Sequence, residues 1–143
     1  MSSSSLRDSS VRTLAWLGDA HFERMVRWHL AKLGDYPVTR LDEARARVVR
    51  AEAQADLLAR IEPDLHEDEQ AVVRRGMNAQ VRGKGRAARD TKAYRAATGL
   101  EALVGWWACG DDHGEARLRV VLNPALAEML ATALAASAPI KRG

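Results

Sequence analysis

Apolar residues in this chain recur at steps of three and four, and that spacing dictates helices. Over residues 10–33 they fall at Val11, Leu14, Ala15, Gly18, Phe22, Met25, Val26, Leu30 and Leu33, a continuous stripe on one side of a 3.6-residue turn. Gly34, Asp35, Tyr36 and Pro37 then supply a stop. The spacing returns in Leu41, Ala44, Val48, Ala51, Ala55 and Leu58, which predicts one second helix with Thr39 as its N-cap, Asp42 as a weak capping-box partner and Pro63 as its end. A third helix is predicted over residues 65–78. Its acids (Glu67, Asp68, Glu69) come first and its bases (Arg74, Arg75) later, the order that suits the helix dipole. A fourth is predicted over 91–108, with Ala93, Ala97, Leu100, Val104 and Trp107 turned inward. After a turn at 110–114, residues 115–137 predict two helices parted by a break at Asn123-Pro124, an N-cap followed by proline.

Composition agrees with an all-α chain. Only 5% of residues are aromatic and β-branched residues are few, so helix is favoured over sheet. The length of 143 residues suits one domain, expected over 10–137 with flexible ends at 1–9 and 138–143. A single cysteine, Cys109, rules out an internal disulfide, and no Cys/His group has zinc spacing. The serine-rich start lacks the pattern of a signal peptide, and no uninterrupted apolar run reaches the length of a membrane span. A cytoplasmic protein with no membrane partner is expected. The formal charge of +3 and pI of about 9.4 are a mild basic excess, by itself only a weak pointer to nucleic acid.

Two carboxylates are out of place. Asp19 lies four residues after Ala15 and three before Phe22, and Glu101 lies four after Ala97 and three before Val104. Each therefore borders an apolar stripe, where a carboxylate needs compensation. Two compensations fit the spacing: an arginine or helix-cap partner for each acid, or a magnesium ion between the two, since magnesium is usually held by one or two carboxylates plus waters and phosphates.

Three segments carry a family resemblance. Residues 14–30 read LAWLGDAHFERMVRWHL, residues 75–79 read RGMNA, and residues 94–107 read YRAATGLEALVGWW. RVVRAEAQADLL at 47–58 is a weaker fourth. In that order they resemble the Mini-ribonuclease III family, short relatives of ribonuclease III without a double-stranded-RNA-binding domain. The resemblance implies an all-α, ribonuclease III endonuclease-domain-like fold, a homodimer, and Mg²⁺-dependent (or Mn²⁺-dependent) hydrolysis of double-stranded RNA to 5′-phosphate and 3′-hydroxyl ends. The RNA implied is a structured ribosomal precursor of the large subunit. Asp19 and Glu101 fall on the family's metal-binding catalytic acids. Full-length ribonuclease III carries two further acids where this chain has Ala15 and Thr98, a reduced set that the short family shares. Met77, Glu52 and His21 depart from the family's usual arginine, lysine and apolar residue, which touches RNA preference more than chemistry.

Other residues keep two readings. Glu23, one turn after Asp19, either orients a metal-bound water or pairs with Arg27 at i+4. Residues 71–89 hold no acid but contain Arg74, Arg75, Arg82, Lys84, Arg86 and Arg89 among glycines, which suits phosphate contact with A-form RNA or simply a solvated face. Asn78 either bonds the helix end or touches RNA. Trp106 and Trp107 cannot share one helix face, so one is expected at a dimer interface. Trp16 and Trp28 are expected in the core. No histidine is assigned to a metal. A non-catalytic RNA-binding protein of the same fold is the alternative function. A small DNA-binding regulator would need a recognition helix that the sequence does not offer.

Overall fold

A computed structural model describes residues 6–79 and 92–137, all helix and turn with no strand among them. The helices are α1 Val11–Leu33, α2 Val38–Val49, α3 Ala51–Ile61, α4 Glu67–Asn78, α5 Lys92–Ala108, α6 Asp112–Arg117 and α7 Asn123–Ala136. The predicted basic positions Arg82, Lys84, Arg86 and Arg89, and most of both expected flexible ends, lie outside the described residues.

Helix α1 begins where expected. The Ser10 side chain accepts from the Thr13 N–H at 3.2 Å, satisfying one of the four donors a helix start leaves open. The single second helix of the sequence reading is in fact two. Arg50 is extended (φ −74°, ψ 159°), so α2 stops and α3 starts afresh. Thr39 is not its N-cap either; α2 starts at Val38 behind Pro37, with no side-chain cap. In the sequence the three-and-four spacing runs on through Ala51, Ala55 and Leu58 and gives no sign of the kink, whereas the buried face of α3 is Ala53, Gln54, Leu57, Leu58 and Ile61.

Two further corrections concern the C-terminal region. The 110–114 turn is cut short by α6, which Asp111 caps by accepting from the His113 N–H. Asn123 is a helical residue, not a cap, because a π-helical turn, Leu118–Leu122, carries the chain unbroken from α6 into α7. The resulting rod, Asp112–Ala136, has the length and hydropathy of a membrane span, which the sequence reading did not anticipate. One face of it packs in the core, with Leu122, Leu126 and Leu130 fully buried against α1, α2 and α3.

Helix α5 is the axis of the fold, flanked by α1, α3 and α4. Its Leu100, Leu103, Val104 and Trp107 are completely buried. The α1–α5 contact is backbone to backbone. A Cβ on Gly18 would fall on the Glu101 carbonyl, and one on Gly105 would fall on the Leu14 carbonyl.

One buried charge knits the C-terminal region to this body. Glu69, 2% exposed, accepts from the His66 N–H at 2.7 Å, from Trp107 Nε1 at 2.9 Å, and from Arg117 Nε and a second guanidinium nitrogen at 2.8 Å each. Burial pushes its carboxyl up, but these donors outweigh that and hold it at about 2. All of its charge is thus paired, as a buried carboxylate requires.

Candidate active site

The α1–α5 crossing puts Asp19 beside Glu101. The absence of side chains at Gly18 and Gly105 lets the two helix backbones touch, so acids separated by 82 positions hydrogen-bond to each other. Both line one open cleft of about 430 Å³, with Arg12, Trp16, Gln54 and Thr98 around them. Burial, then the negative charge of Asp19 and the hydrogen bond shared with it, raise the Glu101 carboxyl to about 7; a hydrogen bond from Gln54 opposes them. A cation bound beside Glu101 would favour its charged form instead. No arginine is ion-paired to either acid, so among the described residues the arginine alternative is not what compensates them.

The oxygen-rich wall suits a hard divalent cation. Asp19 and Glu101 supply the negative charge. Gln54, 3% exposed, adds an amide whose Oε1 is buried without a hydrogen-bond partner. The kink at Arg50 is what places it: ending α2 frees the Val49 carbonyl, and Gln54 Nε2 donates to that oxygen at 2.9 Å. Arg12 ties the wall to the end of α4 by donating to the Ala79 carbonyl at 2.8 Å.

The other predicted residues lie elsewhere. Glu23 does not line the cleft; its carboxylate pairs with Arg27 at 3.0 Å and Arg45 at 3.3 Å, the ion-pair side of its two readings. Arg74, Arg75 and Asn78 are exposed on the last turns of α4. The tryptophans correct the sequence reading. Trp107 is fully buried, while Trp16 is 75% exposed at the cleft rim and Trp28 is 53% exposed. Trp106 is half-buried, with the Arg7 guanidinium 3.6 Å from its ring centre. Trp16 was legible: two residues past Leu14, it sits about 200° around the helix from it. Gln54 carried no charge anomaly to find it by.

A second cluster of ligand-type groups, His66, Asp68 and Glu69, is a helix cap. The Glu69 oxygens are taken by Arg117, Trp107 and the His66 N–H, and Asp68 Oδ1 accepts from the Glu69 N–H.

Comparison with known proteins agrees with the geometry. The ribonuclease III domain model matches residues 12–112. The chain is 45% identical over 103 residues to the Mini-ribonuclease 3 of Desulfitobacterium hafniense, covering 72% of this chain and 64% of that protein. It is 48% identical over 94 residues to the Mini-ribonuclease 3 of Symbiobacterium thermophilum, covering 66% and 72%. Among solved structures, a Fusobacterium nucleatum protein superposes with a TM-score of 0.65 at 26% identity, over 81% of this chain and 94% of that one.

Proposed function

This chain belongs to the ribonuclease III family, in its Mini-ribonuclease III branch, and on that premise we propose that it is a divalent-metal-dependent endonuclease for double-stranded RNA. Its substrate on this reading is a structured precursor of large-subunit ribosomal RNA, met in the cytoplasm. The observation that carries the proposal is the Asp19–Glu101 pair, two acids sharing one cleft with no ion-pair partner among the described residues. A non-catalytic binder of RNA has no use for paired carboxylates where phosphates must approach, because like charge repels the ligand.

Asp19 and Glu101 would hold the ion. Mg²⁺ or Mn²⁺ bound there supplies a water of lowered pKa and polarises the scissile phosphate. Glu101 must first give up its proton, and the rising positive charge of the site drives that loss. Gly18 and Gly105 fix the spacing of the acids through backbone contact rather than through a flexible side chain. Arg74 and Arg75, with the arginines and lysine of 82–89, would neutralise phosphates along the duplex, a contact that needs no base recognition.

A second copy of the chain completes the proposal. Trp16 exposes most of a large apolar ring at the rim of the cleft, a surface that burial against a partner would stabilise. A two-fold dimer offers one cleft to each RNA strand.

The test is cleavage of a labelled, perfectly paired RNA by the purified chain with Mg²⁺, alongside Asp19→Asn and Glu101→Gln. Cutting by the wild type that both substitutions abolish, with fold intact, supports the nuclease. Binding without cutting, across varied duplexes and with Mg²⁺ or Mn²⁺, overturns it in favour of a non-catalytic RNA-binding protein.

A further inference from the structure

Two acids leave a divalent-cation site short of protein oxygen. Ala15 and Thr98 offer no carboxylate, so a six-coordinate ion there keeps several waters. Each water carries hydrogens that need acceptors, and groups that receive them set both affinity and orientation.

Gln54 meets that need in a way its neighbours do not. Its amide cannot turn freely. Nε2 donates to the Val49 carbonyl at 2.9 Å, and the side chain lines the same cleft as Asp19 and Glu101. A backbone carbonyl accepts only from the NH₂ end, so the orientation of the amide is fixed. What remains is Oε1, buried and without a partner among the described residues. An acceptor left unpaired in the interior costs about 1–3 kcal/mol. A leucine or methionine would pack the same wall without that cost.

We propose that Gln54 is a positioning residue of the cation site: with its amide oriented by the Val49 carbonyl, its Oε1 accepts a hydrogen bond from a water bound to the ion. The inference rests on the reading of Asp19 and Glu101 as the ion's ligands. It gives the kink at Arg50 a purpose, since only a broken helix frees the Val49 carbonyl that orients the amide.

Calorimetric titration of the metal-free full chain with Mg²⁺ tests it, comparing wild type, Gln54→Met and Asp19→Asn. Gln54→Met keeps the volume and removes both the bond to Val49 and the Oε1 acceptor. It is expected to weaken Mg²⁺ binding by about 10–100-fold, the usual effect of losing a group that orients metal ligands, and to raise the Mg²⁺ needed for half-maximal cleavage more than it lowers the maximal rate. In ¹⁵N-labelled wild type, the Gln54 side-chain amide signals should move when Mg²⁺ is added and stay still in Asp19→Asn. Wild-type affinity in a folded Gln54→Met, or amide signals unmoved by Mg²⁺ that the wild type binds, overturns the role of Gln54 alone. The amide signals decide the matter if Gln54→Met does not fold. Mg²⁺ binding that Asp19→Asn leaves unchanged overturns the cation site itself, and this inference with it.

Discussion

A side-chain carbon on Gly18 would land on the backbone carbonyl of Glu101: the two helices that carry the acids touch through their main chains, one residue from Asp19. Gly18→Ala must therefore push α1 and α5 apart. Overpacking of this kind costs about 1–3 kcal/mol, and separating the acids should cost more in activity than in stability. The expected outcome is a lowered melting temperature with cleavage reduced at least about 100-fold. Gly105→Ala, which meets the Leu14 carbonyl, should behave alike. Full activity in either variant would show that the close approach does not set the site.

Glu101 makes the metal-free protein lose stability between acid and neutral pH. Its carboxyl is held at about 7 against an ordinary 4.5, so between those values the folded state binds more protons than the unfolded one. Stability then falls as pH rises, present in full below 4.5 and lost through about 7. Glu101→Gln removes that loss. At pH 8 without metal it should melt higher than wild type, by roughly 3–8 °C for 1–2 kcal/mol, while being inactive. Saturating Mg²⁺ should narrow or reverse the gap, because only the wild type gains from the ion. Thermal melts at pH 5 and pH 8, with and without Mg²⁺, provide the check.

Glu69 has the opposite sign. Its carboxyl is held at about 2 against an ordinary 4.5, so the unfolded state binds more protons in that interval. The contribution is present above 4.5 and lost as pH falls through about 2. Arg117→Met leaves a buried carboxylate short of its cation, which costs about 3–5 kcal/mol. Denaturant melts at pH 7 should show that loss, and it should shrink towards pH 2 as Glu69 protonates. A loss independent of pH would point to packing rather than charge.

Trp16 carries the prediction for assembly. Trp16→Glu places a charge on the exposed ring position, and sedimentation should show a dimer of wild type converted to monomer, with the melting curve of an isolated chain unchanged. A wild type that is monomeric at micromolar concentration would remove the dimer from the proposed function.

For the basic segment, alanine at Arg82, Lys84, Arg86 and Arg89 together should raise KM and leave kcat nearly unchanged, because phosphate contacts bind ground and transition states alike. The slope of log affinity against log salt should flatten by up to about 0.9 per lost contact. An unchanged slope would mean that these residues make no phosphate contact.

The sequence by itself determined the helical class, the start of α1 at Ser10 and most of the inward stripes. These are local or periodic properties, and a 3.6-residue repeat or a capping serine needs no distant neighbour to be read. Tertiary structure decided the rest. Periodicity cannot show a kink at Arg50, since the three-and-four spacing continues through it in the sequence, and it cannot tell a proline break from the π-turn that carries α6 into α7. It placed Trp16 in the core because tryptophan is apolar, although its angle on α1 pointed outward. Whether Asp19 and Glu101 meet depends on Gly18 and Gly105 letting two backbones touch, a fact of three-dimensional contact. Gln54 became visible only then: a neutral side chain draws notice when its oxygen is found buried, oriented and unpaired beside two acids.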